Sequence, residues 1–499
     1  MTASIPRRLV DCASVPEADA CKGIRRASRD AAGFVGCASD EERAARLQAQ
    51  LLAAVAEGAP VRLQGLDRIT RLAPLDAGSC KKCLALLAER LHRSYGPPES
   101  FTPPDLPLAW RASLAEGELP TVELPFGREQ LLARLELPRD LATRLCCAAR
   151  DEARRHKKSV VLEASVSGLS SLLPHLAALV DVLVVDEASI VHGRLAAEVA
   201  LSRAGLRRVA LTAVAGDRSL GALAARAFDA AALGCDLELP DDSGAEALAM
   251  LGALRAFRRE LPAVEEPLAD VSILYDARSD VLSDGRHGKV AAEIAEAVAA
   301  AGFLVTACTQ VSGAPEGALL LLAGCTALSP KELRAALART NRGGDLAILG
   351  APAAVDDEGL PLQVEGPTTV PGETRLGRGR LFVLPEDDDP AAAGLRACRG
   401  LRPDALRLAR VTGRGRLLLA AARAGGAVQL RLSNQERDGD GFVAPQGLVL
   451  HLGARLQQVR TATLRGPGGV SEQIRVSTAA RGTSLVLPEL PPFSVLVLS

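Results

Sequence analysis

Aromatic side chains are almost missing from this chain. Its 499 residues include nine Phe, two Tyr and a single Trp, Trp110, which together make 2% of the sequence. The core must therefore be built from Leu, Val and Ala, and a sugar cleft would have few rings on which a pyranose face could stack. An excess of one charge is missing too. A formal net charge of −1 with 24% charged residues describes a surface of mixed sign, and no basic stripe argues for nucleic acid. There is no run of about 18 apolar residues to cross a bilayer. The N-terminal MTASIPRRLVDCASVPEADAC has no apolar stretch behind its arginines, so a secretory signal is not expected. The eleven cysteines are odd in number and scattered, with Cys146 and Cys147 adjacent. That pattern suits reduced thiols in a cytoplasmic protein better than a disulfide frame.

A length of 499 residues is too great for one core and implies two to four domains, and 48% hydrophobic content leaves ample material for burial. One pattern occurs twice, VVLEAS at 160–165 and VVDEAS at 184–189. Each is a short β-branched run ending in an acidic and a small polar residue, with a helix-length piece between, as two parallel strands buried on both faces should read. On neighbouring parallel strands Glu163 and Glu187 would leave the same rim, where α/β folds place ligands. Such a pair could divide glycoside hydrolysis into nucleophile and proton donor, at roughly 5 Å for retention or about 6.5–9.5 Å for inversion. Asp67 or Asp186 would then act as helper. The plainer alternative is that these carboxylates cap helices or pair with arginines.

Six strands precede residue 241, at 7–14, 61–67, 159–166, 181–188, 207–215 and 235–240. Helices are expected between them: one opened by Ser39 and Glu42, one from Gly127 to Arg155, one at 219–233. A further helix runs from Ser243, its expected N-cap, to Arg259. Alternation of this kind means a parallel sheet or a barrel. Between the second and third strands lies GSCKKCLALLAERLHRSYG (78–96), a Cys80-x-x-Cys83 running into an amphipathic helix. Two thiols can hold two corners of a tetrahedral zinc, but a structural site needs four ligands, so buried inert thiols are the competing reading.

A strand ending in Asp67, then the cysteine pair, then a helix closed by Tyr95-Gly96 resembles the middle of the catalytic barrel in family 42 β-galactosidases. The resemblance implies a (β/α)8 barrel in which a cysteine cluster at this place can bind zinc. It does not carry the catalytic residues across. That family has an Asn-Glu pair after the fourth strand and a glutamate after the seventh, whereas this chain has LDRIT at 66–70 and no carboxylate after RRVALTAVA until Asp217. A closed barrel also needs eight strands.

AVEEPLAD at 263–270 reads as a linker. VSILYD (271–276), a helix around 286–301, FLVTACT, ALLLLAGC, a helix capped by Ser329 with Pro330 and Glu332, and DLAILGA (345–351) then make a small flavodoxin-like unit. It resembles the glutamine-amidotransferase-like domain that follows the family's barrel and serves assembly. Working amidotransferase chemistry needs a cysteine on a Gly-x-Cys-x-Gly elbow with a histidine beside it. Cys325 lacks the glycines, and only His287 and His192 could serve it. From about Arg416, short alternating strands separated by Gly, Asn and Asp suggest an antiparallel β-sandwich, which resembles the C-terminal sandwich of many glycosidases.

The expected fold class is thus α/β and multi-domain: a (β/α) barrel at 1–262, which either lacks its first two βα units or has further strands in its first 60 residues, a flavodoxin-like α/β domain at 270–390 and a β-sandwich at 400–499. Two functions follow from different classes. One is a glycoside hydrolase that needs no cofactor and uses Glu163, Glu187, Asp186 and Asp67. The other is a non-catalytic relative serving as a binding or assembly module. The partner is a carbohydrate in either case, with neither nucleic acid nor membrane, and self-assembly is left open.

Overall fold

The computed structural model describes residues 8–11, 41–58, 61–64, 127–167, 169–186, 190–202, 208–212, 219–239, 243–283, 285–350, 354–355, 361–362, 371–385, 389–438, 441–479 and 482–499. Six strands come first: β1 (Arg8–Asp11), β2 (Val61–Gln64), β3 (Leu162–Ser167), β4 (Val182–Asp186), β5 (Arg208–Thr212) and β6 (Asp236–Glu238). They stand side by side in chain order, every pair parallel. Helices α1 (Glu41–Glu57), α2 (Gly127–Arg155), α3 (Leu173–Leu179), α4 (Ile190–Leu201) and α5 (Leu220–Leu233) lie between them, and α6 (Ala245–Glu260) follows.

Local chemistry explains most of these bounds. Val182 to Val185 are all buried, as a parallel strand covered on both faces must be. Helix α5 opens where the Ser219 hydroxyl accepts from the Ala222 N–H and closes at Gly234, whose φ of 89° is left-handed. Helix α6 departs from expectation. Gly244, not Ser243, is its N-cap and offers the first turn no side-chain cap.

The first sheet is curled. Strands β2 and β6 have three strands between them, a separation of about 19 Å in a flat sheet. Yet Arg62 Nη1 donates to Glu238 Oε2 at 2.9 Å and Arg62 Nη2 to Oε1 at 2.9 Å, so both side chains enter one hollow. The register fits this. Arg62 pairs with Glu163, Glu163 with Val182, Val182 with Arg208, and, further along, Ala210 with Asp236. Glu238 therefore stands about one residue higher per strand crossed than Arg62, the slant of tilted barrel strands. Among the described residues this sheet has six strands, where a closed barrel has eight.

Strand β7 (Glu266–Leu268) comes next, then β8 (Val271–Leu274), α7 (Ala277–Leu282), α8 (Arg286–Ala300), β9 (Val305–Cys308), β10 (Leu319–Ala323), α9 (Pro330–Asn341) and β11 (Leu346–Leu349). A short hairpin, β12 (Ala354–Val355) with β13 (Pro361–Leu362), precedes β14 (Gly372–Leu376), β15 (Gly379–Leu384) and α10 (Pro390–Leu401). The second sheet has the order β14-β15-β11-β10-β8-β9, with only β14 antiparallel. Ser329 caps α9 as expected, accepting from the Glu332 N–H at 3.2 Å. Glu332 does not return the bond. Its Oε2 accepts from the Val311 N–H at 2.7 Å, tying the helix to the segment after β9.

The last unit runs from β16 (Ala409–Arg414), β17 (Leu417–Ala424), β18 (Ala427–Asn434), β19 (Arg437–Asp438) and β20 (Gly441–Phe442) to β21 (Gln446–Leu452). It continues with β22 (Ala462–Gly466), β23 (Val470–Ile474), β24 (Val476–Ala479), β25 (Gly482–Val486) and β26 (Phe493–Leu498). Two antiparallel sheets, β16-β21-β25-β24 and β23-β22-β26-β18-β17-β7, enclose one core containing Leu430, Leu450, Leu464, Leu485 and Leu496. The segment 263–270 is therefore not a free linker. Its residues Glu266 to Leu268 pair with Arg423, Ala422 and Ala421 as the edge strand of the last unit. A larger core runs from Leu51 and Leu145 through Ala196 to Ala291 and Ala397, so the first two sheets share buried surface.

Candidate functional site

The hollow of the first sheet holds the one fully described candidate carboxylate. Glu163 is 4% exposed. Its Oε2 accepts from Arg62 Nε at 3.0 Å and from Nη2 at 2.8 Å. Arg62 spends its remaining reach on Glu238, so one guanidinium lies between two carboxylates. The oxygens sharing Nη2 are each within 2.9 Å of it and so at most twice that apart. Burial alone would pull the Arg62 guanidinium below its ordinary pKa, but Glu238 and then Glu163 outweigh it and hold the group above that value. The plainer sequence alternative, a glutamate paired with an arginine, is what the structure contains.

Glu163 is also at the other end of its strand from the rim it was expected to share. It is the second residue of β3 and faces Val182, the first of β4, whereas Asp186, the last of β4, faces Ser167. Four residues of strand separate the two rows, about 13 Å. The reason is register. Sequence similarity matches Glu163 with Glu187, while the ladder matches it with Val182, so the two copies of the pattern are out of step in the sheet. Asp186 does end its strand at the carboxyl side; Glu187, Asp67, Cys80 and Cys83 lie outside the described residues, as does the side chain of Asp186. Among the described residues no three His, Cys, Asp or Glu side chains gather as metal ligands would. Arg62 and Glu238 were not singled out from sequence, although a lone cation in the apolar strand VRLQ signals a buried partner.

Cys325 and His287 do come to one place, the carbonyl of Ala323. Cys325 Sγ lies 3.9 Å from that oxygen and His287 Nδ1 2.7 Å from it. They cannot work as nucleophile and base. The Asp276 N–H donates to His287 Nε2 at 2.9 Å, which places the ring proton on Nδ1 and occupies the only basic lone pair. Burial, and after it the charge of Asp276, pushes the Cys325 thiol well above its usual pKa, so it stays a thiol.

A second polar cluster, unmarked in the sequence, ties the three units together. Asp229 on α5 accepts from Ser433 Oγ at 2.7 Å and from Gln435 Nε2 at 2.6 Å. Glu198 on α4 accepts from Thr306 Oγ1 at 3.0 Å. Burial pushes both carboxyl groups above their usual range, against the pull of these hydrogen bonds and of Arg194. The same burial pushes Arg431 down to about 10. No local pattern announces such a cluster, because its members come from strands and helices hundreds of residues apart.

No protein-family model matches the chain, and no curated protein matches it in sequence. Solved structures do share its fold. The β-galactosidase of Bacillus circulans sp. alkalophilus superposes with a TM-score of 0.61 over 94% of this chain and 84% of that one, at 11% identity. Gan42B, a GH42 β-galactosidase from G. stearothermophilus, gives 0.57 over 92% and 82%, also at 11% identity. The cold-adapted β-galactosidase of Rahnella sp. R3 gives 0.56 over 91% and 83%, at 11%. The chain thus has the α/β multi-domain fold of GH42 β-galactosidases, in agreement with the resemblance read from its sequence. No helix among the described residues is long and apolar enough to cross a membrane.

Proposed function

We propose that this protein is a glycosidase-like body that binds carbohydrate without hydrolysing it. The observation that carries this reading is the commitment of Glu163. Hydrolysis needs one carboxylate free to attack or to activate water and a second to deliver a proton, both against the sugar. Glu163 is instead buried and turned onto Arg62, and Glu238 is turned onto the same guanidinium. The lack of an Asn-Glu pair supports the absence of hydrolysis. The test is a panel of nitrophenyl glycosides and unlabelled oligosaccharides. Oligosaccharides recovered intact by chromatography, with no nitrophenol released above buffer, are expected; turnover that disappears in Glu187→Gln would overturn the proposal.

One observation favours a second reading. Asp186 ends β4 at the carboxyl side of the ladder, the side on which α/β folds place ligands. A hydrolase working there would use Glu187 with Asp186 or Asp67 and leave Glu163 to the architecture. It requires that Glu187→Gln and Asp186→Asn abolish hydrolysis while Glu163→Gln changes stability alone.

A further inference from the structure

We propose that the cavity where the three units meet is a binding site for a neutral polyol of monosaccharide size. Its volume is about 330 Å³, within the range of small-ligand sites. Helices α4 and α5, the end of α8 and strands β16 and β17 wall it. It is separate from the hollow of the first sheet. Leu237 lines the cavity while its neighbour Glu238 reaches Arg62, and successive strand residues point to opposite faces.

Two groups facing this cavity are incompletely engaged. Arg194 makes no hydrogen bond or ion pair among the described residues and feels Glu198, Asp229 and Glu296 only through space. Asp229 receives both Ser433 and Gln435 on Oδ1, and its Oδ2 accepts nothing among the described residues. Arg194 and Asp229 are further apart than the 4.0 Å of an ion pair. Arg194, with its donor fork, and Asp229, with one carboxylate oxygen unused among the described residues, thus belong to one cavity lining.

Hydroxyl groups fit such a gap because each donates and accepts at once. An anion placed there would meet Asp229 and Glu296, and a cation would meet Arg194 and Arg226, all of which line the same space. Either charge would be opposed. Leu418 and Leu448 form an apolar wall, suited to the C–H face of a ring. Alternating donors and acceptors beside an apolar wall select a neutral polyhydroxylated molecule.

This site deepens the binding function proposed above, and its test is separate from that of the barrel. Full-length protein is titrated with galactose, glucose, myo-inositol and, as a charged control, inorganic phosphate, with saturation-transfer NMR and calorimetry as readouts. At least one polyol should bind saturably and phosphate should not. Arg194→Leu and Ala300→Trp should each weaken binding by about tenfold or more, and Glu472→Gln, exposed on β23, should leave it unchanged. Ala300 is an exposed residue of the cavity lining, so this variant carries the test if Arg194→Leu does not fold. The proposal is overturned if none of the three polyols binds, if binding survives the substitutions, or if phosphate binds in their place. Glycoside turnover lost in Glu187→Gln would instead overturn the non-hydrolytic reading and leave this site intact.

Discussion

Arg62 and Glu238 touch although β3, β4 and β5 stand between their strands. With Glu163 on its other side, Arg62 fastens the start of β2 to its neighbour β3 and to the distant β6. The hollow of the sheet is therefore bridged by charge, where a closed (β/α)8 barrel is filled by branched apolar side chains.

Removing one carboxylate from this bridge should be costly. Glu163→Gln removes the charge-assisted bonds to Arg62 and leaves it Glu238 alone, and is expected to destabilise the protein by about 2 kcal/mol, read as a lower urea midpoint. The triple substitution Arg62→Met, Glu163→Leu and Glu238→Gln should recover most of that loss, since it removes all three charges of the bridge and with them the desolvation penalty. A single variant as stable as the wild type would show that the bridge contributes nothing.

Glu198 should give the protein a measurable pH dependence. Its carboxyl is pushed above the ordinary range by burial, against Arg194 and the Thr306 hydroxyl. A raised carboxyl means that the folded state holds a proton the unfolded chain has already released. Stability from this group is therefore fully present below the unfolded value, about 4.3, and is lost as pH rises through the folded one. Thermal unfolding followed from pH 4 upward should show a decline that is shallower in Glu198→Gln.

Cysteine reactivity should divide sharply. Cys147 is exposed, whereas Cys146, Cys235, Cys308, Cys325 and Cys398 are buried. Burial pushes Cys146 and Cys398 up to about 12 and Cys308 to about 11. Native alkylation with iodoacetamide, mapped by mass spectrometry over these six, should mark Cys147 alone, the others reacting after denaturation. Rapid native labelling of Cys325 would reopen an amidotransferase role.

The junction between α5 and β18 should weaken when its shared carboxylate loses a donor. Ser433 is fully buried and donates to Asp229. Ser433→Ala is expected to cost about 2 kcal/mol, seen as a lower melting temperature, while Ser433→Thr, which keeps the hydroxyl, should lose less.

Strand identity was legible in the sequence and strand register was not. All six early strands appear within the spans expected for them, and Gly127 to Arg155 forms the expected helix. The repeated pattern misled because side-chain similarity says which residues make strands, whereas the ladder is set by where each chain segment enters the sheet. That is why Glu163 faces Val182 and not a partner from its look-alike. β14 escapes a sequence reading because GETRL on the sheet edge is mostly exposed and carries no apolar alternation. The linker at 263–270 failed for a related reason. Its pairing partner, β17, lies some 150 residues downstream, beyond the reach of any local signal.

β26 lies between β22 and β18 in the interior of its sheet. A ribosome delivers Phe493 to Leu498 after every other strand of that sheet, so until then the nascent sandwich is two open half-sheets. A stop codon or a protease cut ahead of Phe493 would fix it in that state. Val428 to Ser433 and Ala462 to Arg465 would then each present an unpaired backbone rim, and such a chain should collect in aggregates even though the cut leaves its first two units untouched.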